Sequence, residues 1–240
     1  MIHNIFLRVR LSYYFVIFFV LYATLALVLP RYKFESGALT LFSVNSFLYG
    51  FYISPILAAQ KARVEELHKI VRSEANAVFA MVLHTKDLPK DQRTELQDMF
   101  THYAQGNIRG HQRFAETTYE RLISYCLDYK GKDKETINKL LEKLVANQQN
   151  RTMLNMQLKN VVFSNEWMII FMLFSITLSF ILLLDTGDNL VLRFVAALLC
   201  TGLTMLLMIL AKLSTLTHKK AKEIWVPFQK LLASRFYRID

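Results

Sequence analysis

The chain has 240 residues, of which 53% are hydrophobic, and its formal net charge is +10. With 7 glycines, 4 prolines and 2 cysteines, it is neither a disordered chain, nor collagen-like, nor a disulfide scaffold. A mean hydropathy of +0.25 leaves a greasy soluble helical protein or a membrane protein, and the placement of the apolar residues decides between them.

Four uncharged runs settle the class. Leu11–Pro30 has 20 residues, Ser36–Gln60 has 25, Trp167–Leu184 has 18 and Phe194–Ala211 has 18. About 20 apolar residues span a bilayer core as a helix. Four such runs in one short chain predict an all-α polytopic membrane protein with a helical region between the second and third spans. The expected segments are 11–60 for the first two spans, 61–165 for the helical region, 166–212 for the last two spans and 213–240 for a basic tail. The first run follows Arg8 and Arg10 but is longer than a secretory h-region of about 7–15 residues. It lacks an A-x-A site, so an uncleaved first helix is expected.

Orientation follows the basic residues near helix ends. Arg8 and Arg10 precede the first span, and Lys61, Arg63, Lys69 and Arg72 follow the second. Lys212, Lys219, Lys220, Lys222, Lys230, Arg235 and Arg238 follow the fourth. Both termini and residues 61–165 are therefore expected in the cytoplasm, with the short loops 31–35 and 185–189 outside. Arg193 is expected to neutralise Asp185 or Asp188. The basic tail is expected to meet anionic lipid headgroups, not nucleic acid.

The second span carries polar residues on two faces. Ser43, Ser46, Gly50 and Ser54 fall within about 80° of each other on a helical wheel, with Asn45, Tyr49 and Tyr52 opposite. Gly50 and Ser54 form a small-xxx-small pair. Phe47 and Phe51 border the small face and have the chemistry of a hydrophobic constriction. Two readings stay open for either face: close helix packing, or the wall of a water-filled pathway.

Residues 61–165 hold 17 Lys+Arg and 13 Asp+Glu with one proline, which is the composition of folded helices. Val64, Leu67, Val71, Ala75, Val78 and Val82 form one apolar stripe. No breaker separates it from the second span except Pro55, so one helix from about 38 to 85 is expected. A helix opening at Pro89 presents Leu96, Met99, Phe100 and Tyr103. Another, near 108–129, presents Phe114, Leu122, Tyr125 and Tyr129. Asp133 is placed to cap a last helix running toward Trp167. In it, Ile137, Leu141, Leu144, Gln148, Arg151, Asn155, Leu158 and Val162 are spaced 4 and 3 in alternation, as in a heptad seam. Its polar middle is either a solvated stretch or a buried layer in which Arg151 pairs with an acid such as Glu74.

Enzymatic motifs are absent: there is no P-loop, H-E-x-x-H or G-x-S-x-G. Cys126 and Cys200 with scattered histidines make no metal site. No cofactor is expected. No span carries a mid-membrane carboxylate or lysine, as a proton relay would. Glu166 is expected either to pair with a lysine or to sit in a vestibule.

The stretch from Ala62 through Glu74-Ala75-Asn76, then Leu88-Pro89 with Arg93, then Leu96 to Tyr103, resembles the bestrophin-like family of small bacterial membrane proteins. The resemblance covers residues 40–170, including Ser46 to Gly50, Arg151 and Trp167. Gly106-Asn107-Ile108-Arg109 stands where that family often has a Glu-Trp pair. The glycine-proline-rich neck of true bestrophins, which are pentameric anion channels, is missing. The bestrophin-like family is of uncharacterised function; the architecture it shares with true bestrophins implies a bacterial inner-membrane homo-oligomer and an oligomeric channel that passes anions. The competing expectation is a membrane-anchored module whose cytoplasmic helices, with Glu74, Asn76, Gln148, Arg151 and Asn155, bind a protein partner.

Overall fold

The computed structural model describes residues 10–185, 187, 189–217 and 223–234. His3, Arg8, Asp188, His218, Lys219, Lys220, Lys222, Arg235 and Arg238 lie outside these. The described residues are all-helical. The helices are α1 (Leu11–Val28), α2 (Ser36–His84), α3 (Lys90–Ile108), α4 (Gln112–Asp128), α5 (Lys134–Lys159), α6 (Ser164–Leu183), α7 (Leu190–Ser214) and α8 (Val226–Ala233). Four helical stretches are long and apolar enough to cross a membrane. The residues fall into two compact units, 1–62 with 161–221 and 63–160 with 222–240. Helix α2 contributes to both.

In unit one, α1, α6, α7 and the first half of α2 pack by their apolar faces. Tyr22, Ala197 and Cys200 centre one cluster, and Tyr49, Ile53, Ile170, Leu207 and Leu210 another. Polar pairs tie the helices: the Tyr22 and Thr204 hydroxyls lie 2.8 Å apart. The short loops meet in one parallel bridge, with Tyr32 N–H donating to Leu183 O and Asp185 N–H to Tyr32 O. Arg31 and Arg193 both donate to the Gly187 carbonyl, at 2.7 and 3.3 Å. Arg193 thus reaches a backbone acceptor of the loop expected to hold its acidic partner.

Pro55 lies inside α2 without ending it. In unit two, all six residues of the α2 stripe are buried, Leu67, Val71, Val78 and Val82 completely. Leu96, Phe100 and Tyr103 of α3 are buried in the same unit, as are Tyr119, Leu122, Ile137, Leu144 and Phe228, and the Tyr103 ring lies 5.1 Å from Tyr119 and 6.2 Å from Phe228 between centroids. At the α3–α4 corner Gly110 has φ +73, a conformation that suits glycine after a helix. A Cβ on Gly106 would sit 3.0 Å from Phe114 and 3.2 Å from Ala115, so a side chain there would require these neighbours to shift by a few tenths of an ångström. Arg63 donates to the Gln157 and Leu158 carbonyls at 2.7 and 3.0 Å, satisfying acceptors that the end of α5 leaves open.

Four expectations are corrected. The last helix of the middle region does not run on to Trp167. It ends at Lys159, and α6 begins at Ser164 after a break, where Val162 N–H is taken by Ser214 Oγ. Asp133 precedes α5 without a side-chain capping bond. Phe114 is half exposed, while Ala115, Thr118, Tyr119, Leu122 and Cys126 form the buried face of α4. Glu166 pairs with no lysine among the described residues: its Oε2 accepts from Phe163 N–H at 2.9 Å and closes the first turn of α6.

Candidate functional site

Two places on α2 concentrate polar groups. The first is its span in unit one, where the two polar faces separate cleanly. Asn45 Nδ2 donates to Thr177 Oγ1 at 2.8 Å and to Leu173 O at 3.0 Å. Tyr49 is buried, and Tyr52 packs against the same cluster. That face is internal packing.

The opposite face is uncovered. Ser43, Gly50 and Ser54 are exposed, and Ser46 is half-buried. Phe47 and Phe51 are 69% and 71% exposed, stacked on each other with centroids 6.0 Å apart. Ser46, Phe47, Gly50, Phe51, Ser54 and Ala58 line an open groove. A Cβ on Gly50 would meet nothing within 4 Å. Ser43 turns its hydroxyl back to Leu39 O at 3.0 Å, whereas Ser46 Oγ has no hydrogen-bond partner.

The second place is in unit two. Glu74 is completely buried. Its Oε1 accepts from the Tyr103 hydroxyl of α3, and its Oε2 has no hydrogen-bond partner. Arg151 of α5 is 7% exposed and lies over the Tyr119 ring at 3.8 Å and the Tyr103 ring at 5.7 Å, a cation–π arrangement. Its Nη1 donates to Gln148 Oε1 at 2.9 Å. Arg151 and Glu74 belong to one cluster but form no ion pair with each other. Burial pushes the Glu74 carboxyl up to about 7, against the downward pull of the Tyr103 hydrogen bond and the Arg151 charge. The Tyr119 hydroxyl donates to Leu144 O at 2.8 Å and accepts from Asn147 at 3.3 Å.

The five residues singled out in this region do not all meet. Glu74 and Arg151 do. Gln148 is exposed and touches the cluster only through Arg151. Asn155 is half-buried and donates to Glu116 Oε1 at 2.7 Å. Asn76 is exposed on another side of α2. The seam of α5 is also displaced from expectation. Ile137, Leu140, Leu144, Asn147, Arg151 and Leu154 are its buried residues, sharing only 137, 144 and 151 with the expected set. Tyr119 and Asn147 were therefore missed. The alternative register puts leucines at 140 and 154 in place of Leu141 and Asn155, and spacing alone does not separate the two.

Asn76 lines a cleft of about 780 Å³ within unit two, with His68, Arg72 and Phe79 of α2 and Pro227 and Lys230 of α8. Lys212, one of the basic residues expected at lipid headgroups, is buried in unit one with its Nζ 5.3 Å from the Tyr14 ring centroid. Among the described residues, no group of three His, Cys, Asp or Glu is placed to hold a metal ion. No protein-family model, curated protein or solved structure matches the chain.

Proposed function

We propose that the chain is a homo-oligomeric membrane channel or pore for anions, with the Ser46–Gly50–Ser54 face of α2 turned to other copies and to the pathway. The carrying observation is the division of α2 into one polar face satisfied by the chain itself and one left uncovered. Lipid offers a hydroxyl no hydrogen bond, and a small residue facing lipid forfeits apolar contact. Ser46, Gly50 and Ser54 gain most from a neighbouring helix or from water. Phe47 and Phe51, beside them, have the size to narrow a pathway. In this reading the protein sits in a bacterial inner membrane with both termini and residues 61–165 in the cytoplasm, and the basic tail lies against anionic headgroups.

The test is chloride flux from liposomes holding the purified full chain, beside its subunit number in detergent. A ring of four or more subunits and a flux that changes with Phe47→Ala or Phe51→Ala are expected. A monomer, or no flux at any voltage or pH, rejects the reading. A second reading, a membrane-anchored interaction or sensing module, is favoured by the cleft between α2 and α8. It expects a defined complex in a pull-down with the full chain, lost with Arg72→Glu, and no flux.

A further inference from the structure

Among the described residues, Glu74 is the only buried carboxylate. A fold does not usually place a carboxyl there without a charge partner, because an unpaired buried charge costs several kcal/mol. Glu74 has one hydrogen bond, from Tyr103, and one oxygen without a partner. The cation of the cluster is turned onto Tyr119 and Gln148 instead.

We propose that Glu74 is a proton-binding site whose occupancy sets how tightly α2 packs against α3, α4 and α5. The groups facing it are Tyr103 from α3, Tyr119 from α4 and Arg151 from α5. Glu116 of α4 lies beyond Arg151, across a cavity of about 10 Å³ that Tyr103 and Asn155 also line. On α2 itself the neighbours one turn away are Ile70, Val71, Ala77 and Val78, all apolar. Burial and the nearby carboxylate hold the Tyr103 hydroxyl well above the usual tyrosine range, and burial pushes Tyr119 up to about 12. Both stay neutral, which leaves Glu74 as the group that changes charge near neutrality.

With the proton on Oε2 the carboxyl is neutral, Tyr103 donates to Oε1, and Arg151 rests on Tyr119. Loss of that proton to solvent leaves a carboxylate with one donor. It draws Arg151 off the Tyr119 ring or a water through the small cavity, which has room for about one. Either change loosens the contact between α2 and α5. The proposal stands on unit two alone and does not depend on ion flux.

The sign follows from the raised folded-state value. Below the unfolded value of 4.5 the carboxyl is protonated in both states and its contribution is fully present. It is lost as pH rises through about 7.

The experiment uses the full chain in detergent or nanodiscs. Infrared spectroscopy in D2O follows the carbonyl stretch of a protonated carboxyl, and the wild-type minus Glu74→Gln difference isolates Glu74. A band that disappears between about pH 5 and about pH 8 is expected. The apparent melting midpoint, followed by Trp225 in a Trp167→Phe background, is expected to fall by about 10 °C over the same range. In Glu74→Gln that fall is expected to vanish. If Glu74→Gln does not fold, Tyr103→Phe serves: it removes the one donor that favours the carboxylate, so the midpoint of the band moves upward. The proposal is overturned if no difference band exists at about pH 6, if the melting profile of Glu74→Gln keeps the wild-type slope, or if Tyr103→Phe leaves the midpoint where it was.

Discussion

Helix α2 treats its polar residues in opposite ways in its two halves. In unit one, Ser43, Gly50 and Ser54 lie exposed, with no packing neighbour among the described residues that calls for small side chains. In unit two, Glu74 is sealed in, with Tyr103, Tyr119 and Arg151 supplied by three other helices of the same chain. The first group is left uncovered by the described residues, and the second is enclosed within unit two. The difference separates a face without a neighbour among the described residues from a carboxyl enclosed by three helices, one oxygen of which still lacks a hydrogen bond.

That contrast can be broken at either end, and the sealed end carries the largest effects. Arg151→Ala removes the guanidinium from Tyr119 and, among the described residues, the cation whose charge acts on Glu74. It is expected to lower stability by roughly 3 kcal/mol, read by denaturant titration of the full chain, with Arg151→Lys recovering only part of the loss because lysine cannot stack as a plane. An Arg151→Ala protein as stable as wild type would make the cluster ornamental. Wild-type stability should also fall by roughly 3 kcal/mol from pH 4.5 to 7 on account of Glu74 alone, a slope that Glu74→Gln removes.

The packed face of the span comes next. Asn45→Leu leaves Thr177 without its cross-helix donor. A loss of about 1 kcal/mol is expected, measured by the same titration. Glu166→Ala frees Phe163 N–H and should cost about 1 kcal/mol in the same assay.

The uncovered face should cost the subunit least. Gly50→Leu places its side chain in open space, so the stability of an isolated subunit should change by less than about 0.5 kcal/mol. Its effect should appear instead as fewer subunits per particle in detergent. If Gly50→Leu unfolds the subunit itself, the face is internal and the contrast between the halves disappears.

Much of this was legible along the chain. The stripe Val64, Leu67, Val71, Ala75, Val78 and Val82 repeats a helical period, and all six residues are buried. Periodicity reports a buried face directly, because the same spacing that puts residues on one side of a helix lets one neighbour cover them. The four apolar stretches were legible because length and hydropathy alone suffice to make them candidates for spans.

Other features were not. Heptad spacing fixed α5 as a seam but left two registers, since 3-and-4 patterns sharing Ile137, Leu144 and Arg151 fit equally well by spacing. The packing against Tyr119 selects the one with Asn147 and excludes Gln148. The end of α5 at Lys159 carries no proline or glycine, and the stop is made by tertiary bonds, from Arg63 and from Ser214.

Composition and period are local properties, and they suffice for an all-helical chain with four apolar stretches of spanning length and an amphipathic region between them. Packing between distant segments settles which polar face of α2 is used up inside unit one, and that Glu74 takes its hydrogen bond from Tyr103 while Arg151 rests on the Tyr119 ring. Those outcomes depend on which side chains distant segments bring together, and no spacing within one helix encodes that.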